Sequence, residues 1–136
     1  MKKLAILLSI LLCSILIVTG CGKKTKEKVA NEPVVKENKN EGVIREQTVD
    51  GIEFTNTSLK TVDGMSTIVT EITNNTDTDY DKEKFIIIIK DKDGKVMQEL
   101  DGYINSVIPP GGSLTITSGV DIDLSEAYSV DYKAIE

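Results

Sequence analysis

The chain has 136 residues, a formal net charge of −6, no histidine and two cysteines. Without histidine, the Ser–His and Cys–His catalytic pairs and most transition-metal sites are absent, so we expect neither an enzyme nor a metal or other cofactor. An acidic chain without a basic stripe is also a poor nucleic-acid binder, so no nucleic-acid partner is expected.

Residues 1–20 predict a secretory signal peptide. Lys2 and Lys3 give a positive start, residues 4–18 carry no charge, and two small residues follow. A helix that spans a membrane needs about 20 apolar residues. A retained transmembrane anchor is therefore the less favoured alternative.

The sequence Val18-Thr19-Gly20-Cys21 resembles the lipobox of bacterial lipoproteins. The resemblance implies that the Cys21 thiol receives a diacylglyceryl group, that cleavage occurs before Cys21, and that this residue starts the mature protein. Two acyl chains give stable membrane anchoring, whereas one binds marginally. We expect a lipid-anchored protein on the extracytoplasmic face of the cell membrane, or in an outer membrane if the source has two. An unmodified cysteine after an ordinary signal peptide is the alternative.

Residues 21–42 are predicted to be the lipidated cysteine and a flexible linker. Residues 22–40 contain six lysines and three glutamates, no aromatic residue and no sustained apolar period. Such a segment buries too little apolar surface to offset the entropy of ordering it. The mature chain keeps only Cys21, so no disulfide is expected and the fold must rest on its core.

Residues 43–136 predict a single all-β domain, and residues 41–136 carry a net charge of −11. Apolar or alternating runs are separated by turn sequences such as Asp63-Gly64 and Asp93-Gly94, in which glycine adopts positive φ at little cost. Short strands at this spacing favour a small immunoglobulin-like β-sandwich of six or seven strands. The predicted strands are Gly51–Lys60, Met65–Asn74, Glu83–Asp91, Lys95–Ile104, Ser113–Ile122 and Ala127–Ile135, with a further short strand near Val43–Val49.

Period-two alternation then assigns core side chains to these strands. The predicted core residues are Ile52, Phe54, Ile68, Ile72, Phe85, Ile87, Ile89, Val96, Leu100, Ile104, Leu114, Ile116, Val120, Ile122, Tyr128, Val130, Tyr132 and Ala134.

The run Phe85-Ile86-Ile87-Ile88-Ile89 is apolar on both faces, although a sandwich strand should alternate. If Phe85, Ile87 and Ile89 face the core, Ile86 and Ile88 face outward. Either long lysine or tyrosine side chains or the N-terminal segment cover them, or they form an interaction face for a partner or a second copy.

The segment from Ile68 to about Thr117 resembles the FxLYD-type domains of bacterial lipoproteins, which are immunoglobulin-like sandwiches. The matching residues are the turn Thr73-Asn74-Asn75-Thr76, the strand end Ile87-Ile88-Ile89-Lys90-Asp91, and the later turns Asp93-Gly94 and Pro110-Gly111. Such domains carry no agreed catalytic role, so the resemblance implies a fold and a location.

The sequence thus predicts a membrane-anchored, non-catalytic interaction or structural module of the cell envelope with a protein partner. A ligand-binding or protease-inhibitor-type domain acting through loops such as Ser106–Ser113 is the alternative. Asp77, Asp79 and Asp81 have the oxygen spacing of a Ca²⁺ loop, but Lys82 and Ile88 stand where an EF-hand needs glycine and glutamate. We therefore interpret this acidic run as a solvated turn.

Overall fold

A computed structural model describes residues 31–136, so the predicted signal peptide, Cys21 and the first part of the predicted linker lie outside the described residues. The elements in chain order are β1 (Val35–Asn38), α1 (Glu41–Ile44), β2 (Gln47–Val49), β3 (Ile52–Val62), β4 (Met65–Asn74), β5 (Lys84–Lys90), β6 (Val96–Tyr103), β7 (Ser113–Val120) and β8 (Ser129–Ala134).

The strands form two antiparallel sheets. The five-stranded sheet has the order β1-β3-β4-β7, with β2 also paired to β3, and the three-stranded sheet has the order β6-β5-β8. The chain changes sheet between β4 and β5, between β6 and β7, and between β7 and β8. This arrangement confirms the predicted all-β, immunoglobulin-like sandwich. It has eight strands where six or seven were expected.

The core lies between the two sheets and follows the predicted alternation in β3, β4, β5 and β8. Phe54 stacks on Tyr132 with ring centroids 4.0 Å apart, and Phe85 meets Phe54 edge-on at 5.0 Å. Each such pair adds roughly 1 kcal/mol beyond the burial of its surface. Gly102 on β6 faces the Phe85 ring, and a Cβ there would lie 2.5 Å from it. The three rings therefore form the aromatic centre of a core that contains no tryptophan.

Alternation fails where a strand is irregular or has ended. Ile89 pairs with Gln98 whereas Lys90 pairs with Val96, so one extra residue is inserted in β6. This bulge moves Val96 off the core face, and its side chain is 44% exposed. Ile122 and Tyr128, also predicted for the core, lie outside β7 and β8 and are 43% and 52% exposed.

The folded domain begins earlier than residue 43, the predicted boundary. The compact unit starts at Pro33, and β1 pairs with β3 from Val35 to Asn38. The buried Asn38 donates from Nδ2 to the carbonyls of Ser125 and Ala127, at 3.1 and 2.7 Å. A four-residue strand with two charges has no periodicity of its own, and this tertiary pairing is what orders it.

The segment predicted as a strand near Val43–Val49 is divided between two elements. Residues 41–44 form the single helical turn α1, capped by the Asn40 side chain, which accepts a hydrogen bond from Gly42 N–H at 3.0 Å. Only Gln47–Val49 forms a strand. Val43 is fully buried and fixes this segment against the core.

Asn74, at the end of β4, is fully buried and joins three segments. Its backbone N–H donates to Gly112 O at 2.9 Å, and its carbonyl accepts from Gly111 N–H at 2.7 Å. Its Nδ2 donates to the carbonyls of Thr78 and Ile108, both at 2.8 Å. The Asn74 amide therefore connects the β4–β5 crossover to the β6–β7 loop.

We predict that Asn74→Ala lowers the free energy of unfolding by about 3 kcal/mol, because it removes a fully buried amide together with its hydrogen bonds to Thr76, Thr78 and Ile108. Urea denaturation of the mature chain measures the change. The neighbouring Asn75 is exposed, and its side chain bonds only to Glu53 within the described residues, so Asn75→Ala should cost about 0.5 kcal/mol or less. Equal losses for the two variants would show that Asn74 has no special role.

Candidate interaction face

The side chains of the three-stranded sheet that point away from the core form a face on which Ile86 and Ile88 lie at the centre. Both isoleucines are half-buried and belong to the central strand β5. We call this surface the outer face. By strand register it comprises Lys84, Ile86, Ile88 and Lys90 of β5, Val96, Glu99, Asp101 and Tyr103 of β6, and Ser129, Asp131 and Lys133 of β8.

Charged residues flank both isoleucines on the neighbouring strands. Ile86 lies between Asp101 and Lys133, and Ile88 lies between Glu99 and Asp131. Residues directly opposite on antiparallel strands have side chains on the same face, with Cβ atoms about 5 Å apart. The outer face is therefore a short apolar strip with a charged border.

On the β6 side, an ion pair and a tyrosine fix the border. Lys84 Nζ lies 3.0 Å from Asp101 Oδ2, and the Tyr103 hydroxyl donates to the same oxygen at 3.0 Å. These hydrogen bonds, that of Lys84 first, hold the pKa of Asp101 below its ordinary value. Lys84 Nζ also lies 5.8 Å from the centroid of the Tyr103 ring, within cation–π range.

On the β8 side, Asp131 accepts from two cations. Lys90 Nζ lies 2.7 Å from one carboxylate oxygen and Arg45 from the N-terminal segment lies 2.6 Å from the other. The Lys90 hydrogen bond is the main reason that the pKa of Asp131 is lowered, and the charges of Lys90 and Arg45 add to it. Long side chains of the sheet and Arg45 from the N-terminal segment thus border the isoleucines, which stay partly accessible.

An open groove of about 900 Å³ runs from Ile86 to the end of the chain. Its walls combine Val49, Tyr80 and Ile135 with the charged side chains of Asp50 and Lys82. Burial, and then the charge of Asp50, raises the pKa of Tyr80. Ile88 does not line this groove, so the structure places the two isoleucines on one face without joining them in one pocket.

The acidic run Asp77, Asp79 and Asp81 lies in the exposed β4–β5 crossover. Among residues 31–136, no group of three or more acidic, cysteine or histidine side chains is arranged to hold a metal ion. The crossover is held instead by Asn74, whose Oδ1 accepts from the Thr76 backbone and hydroxyl at 3.0 and 2.7 Å.

Several residues of the FxLYD-like pattern have structural roles in this domain. Ile87 and Ile89 are fully buried, and Asp91 Oδ1 closes the β5–β6 turn by accepting from Asp93 N–H and Lys95 N–H, both at 2.9 Å. Gly111 lies at φ +75° and donates its N–H to Asn74. Ile87 and Ile89 therefore belong to the core and Asp91 and Gly111 to turns, so the pattern describes how the sandwich is built and identifies no binding chemistry.

The sequence alone did not reveal the ion pair between Arg45 and Asp131 or the groove beside Ile86. Arg45 and Asp131 are 86 positions apart, and no local pattern marks a salt bridge across that distance.

Comparison of the chain with protein-family models, curated proteins and solved structures found no match. In the described part of the chain, no helix is long and apolar enough to cross a membrane.

We predict that the stabilising effect of Asp131 is lost on acidification. Its folded-state pKa is depressed, so its contribution is present above the unfolded pKa of about 3.9 and is lost as pH falls through the folded value. Asp131→Asn should lower the free energy of unfolding at pH 7 by about 1 kcal/mol, since the pair is partly exposed. The difference from the parent chain should shrink below about pH 4.

Urea denaturation at several pH values measures this effect. Asp93→Asn is the matched control, because Asp93 lies in an exposed turn and makes no ion pair within residues 31–136. A stability difference for Asp131→Asn that stays constant from pH 7 to pH 3 would contradict the prediction.

Proposed function

We propose that this protein is a lipid-anchored, extracytoplasmic module of the cell envelope that binds a protein partner without catalysis. The observation that carries the proposal is the sequence Val18-Thr19-Gly20-Cys21 at the end of an uncharged N-terminal run, followed by a single β-sandwich. Diacylglyceryl transfer to Cys21 would attach the mature chain to the membrane through two acyl chains.

The length of the predicted linker between the proposed anchor and the domain suits this role. Residues 22–32 separate Cys21 from the start of the compact unit at Pro33. A flexible chain of this length has an r.m.s. reach of about 18 Å. The domain would therefore stay close to the bilayer while it remains free to turn toward a partner in the envelope.

The proposed family is that of FxLYD-type lipoprotein domains. The immunoglobulin-like sandwich and the turn roles of Asn74, Asp91 and Gly111 support it. Because FxLYD-type domains carry no agreed catalytic role, membership of this family would agree with the non-catalytic role that we propose for this chain.

The outer face is the surface that we propose for partner binding. Ile86 and Ile88 form its centre, and paired charges at Asp101 and Asp131 form its border. Protein interfaces have this composition, in which an apolar centre is surrounded by a polar rim. Asp101 and Asp131 are already paired within the domain, whereas Glu99 and Lys133 make no ion pair within residues 31–136. A partner that covers the isoleucines must therefore leave Glu99 and Lys133 in solvent or supply charges that pair with them.

A loop-based inhibitor or ligand-binding role is the second candidate, and one observation favours it. Val107 in the β6–β7 loop is 55% exposed, whereas the adjacent Ile108 is only 2% exposed. Ile108 bonds to Tyr80 through both backbone groups at 2.9 Å, and its carbonyl also accepts from Asn74 Nδ2. A protruding apolar residue on a rigidly held loop is a feature suited to insertion into a partner's cleft.

We predict that the mature protein carries a diacylglyceryl group on Cys21. Mass spectrometry of protein from cell membranes should show an N-terminal lipid-modified Cys21, and Cys21→Ala should leave a protein without acyl label. Cys13→Ala is the matched control, since this cysteine lies within the predicted signal peptide and should not affect labelling. An unmodified thiol in the mature protein would refute the proposed anchor.

We predict that Ile86→Thr with Ile88→Thr abolishes partner retention and leaves the domain folded. Threonine keeps the β-branched shape and removes apolar surface. Crosslinking in intact cells, followed by mass identification of the attached protein, measures retention, and thermal unfolding of the purified chain measures folding. An inhibitor acting through Val107 would instead block a protease in a purified assay and lose activity on Val107→Ser.

The matched control is Val69→Thr, because Val69 is half-buried on the outward side of the opposite sheet. It should retain the partner. If the Ile86 and Ile88 variant unfolds, the two residues belong to the core. If the variant stays folded and keeps its partner, the outer face is not the binding surface.

A further inference from the structure

Strand edges are the other surfaces of a sandwich that can bind, and most edges of this domain are protected. The β8 edge is covered by the N-terminal segment, where Gln47 Nε2 donates to Val130 O at 2.6 Å. The β6 edge carries Glu99 and Asp101 and contains the bulge. The β1 strand has only four residues, two of them charged. Natural proteins use such short, charged, bulged or covered edges to prevent pairing with other chains.

The β7 edge has none of these features. Ser113–Val120 has eight residues, no charge and no proline, and it pairs with β4 over its whole length without a register shift. Ser118 is the one residue of β7 that bonds across to the other sheet, and it does so through its inward side chain, at 2.8 Å from Asp101 O. A regular, uncharged edge strand is a template for another strand.

The hydrogen-bonding phase of β7 shows which backbone groups are available. Asn74 N–H donates to Gly112 O at 2.9 Å, which places the even-numbered residues of β7 in the pairs bonded to β4. Bonded and non-bonded pairs alternate in an antiparallel ladder. The N–H and C=O groups of the odd-numbered residues therefore point away from β4, and these residues are Ser113, Thr115, Thr117 and Gly119.

The inward side of β7 is also incompletely covered. Ile116 is buried at 3% exposure, whereas Leu114 and Val120, nearer the two ends of the strand, are only half-buried against the core. Both face the same side of the sheet as Ile116. An additional strand beyond β7 would cover them.

We propose that a second copy of this chain occupies the β7 edge, so that two five-stranded sheets join antiparallel about a two-fold axis at Thr117. In this register Thr117 faces Thr117 of the other copy, and Thr115 faces Gly119. All of these are odd-numbered residues, so each pair can exchange two backbone hydrogen bonds. The same register places Leu114 opposite Val120, which buries the two half-covered apolar side chains together.

The sequence of β7 favours its own copy as the partner. An isologous two-fold contact needs a self-complementary surface, and the Leu114–Val120 match provides one. The domain, residues 33–136, carries a net charge of −10, which opposes association, but β7 brings no like charges together at the contact. The proposal depends on the described domain alone and needs neither the lipid anchor nor the outer face.

The test uses the chain from residue 21 onward with Cys21→Ser, which contains every described residue and has no native thiol. Light scattering over a concentration series should show a mass that rises toward two chains. Thr117→Lys should return it to one chain, because two lysines would meet at the axis. The control Thr67→Lys places the same charge on the same face of the central strand β4 and should leave the dimer intact.

Disulfide trapping tests the register. Opposed Cα atoms in a bonded pair are about 5.5 Å apart, within disulfide range, so Thr117→Cys should form a covalent dimer on oxidation. Thr115→Cys should do so at least tenfold more slowly, because it faces Gly119. A single-chain mass at every concentration, with equal crosslinking of the two cysteine variants, would overturn the proposal. The remaining candidate for binding at the β7 edge would then be an extended segment of another protein.

Discussion

The buried amide of Asn74 is the constraint on which the sandwich most depends. Asn74 lies where the chain leaves one sheet for the other, and its side chain and backbone hold both the β4–β5 crossover and the β6–β7 loop. Every buried polar side-chain atom in the described residues has a hydrogen-bond partner. A buried polar group without a hydrogen-bond partner costs about 1–3 kcal/mol. The hydrogen bonds of Asn74 therefore fix how the chain passes from one sheet to the other, which the alternation of apolar residues does not determine.

Once the connections between the sheets are fixed, the three-stranded sheet has two distinct faces. Its inner face packs Phe85 and Tyr132 against Phe54 of the other sheet. Its outer face presents Ile86 and Ile88 between charged residues, of which Asp101 and Asp131 are paired within the domain. The five-stranded sheet supplies the uncharged β7 edge. The two candidate contact surfaces therefore lie on different sheets, and a partner on one need not displace a partner on the other.

The sequence determined the location hypothesis and much of the strand content. The lipobox-like segment consists of four adjacent residues, so it can be recognised without any contact between distant parts of the chain. The strand Met65–Asn74 matches its predicted bounds, and alternation placed Phe85, Ile87 and Ile89 in the core correctly. These predictions succeed because a period-two pattern reflects burial of one face, which each strand records in its own residues.

Only the tertiary structure decided where the domain begins, which charges pair and which edge is open. Val35–Asn38 becomes a strand through pairing with β3, and Val96 leaves the core because of a bulge. Arg45 and Asp131 meet across most of the domain. Each outcome depends on contacts between residues far apart in the chain. Local sequence patterns record the burial of a side chain but not the identity of its neighbours, so these features could be found only in the folded molecule.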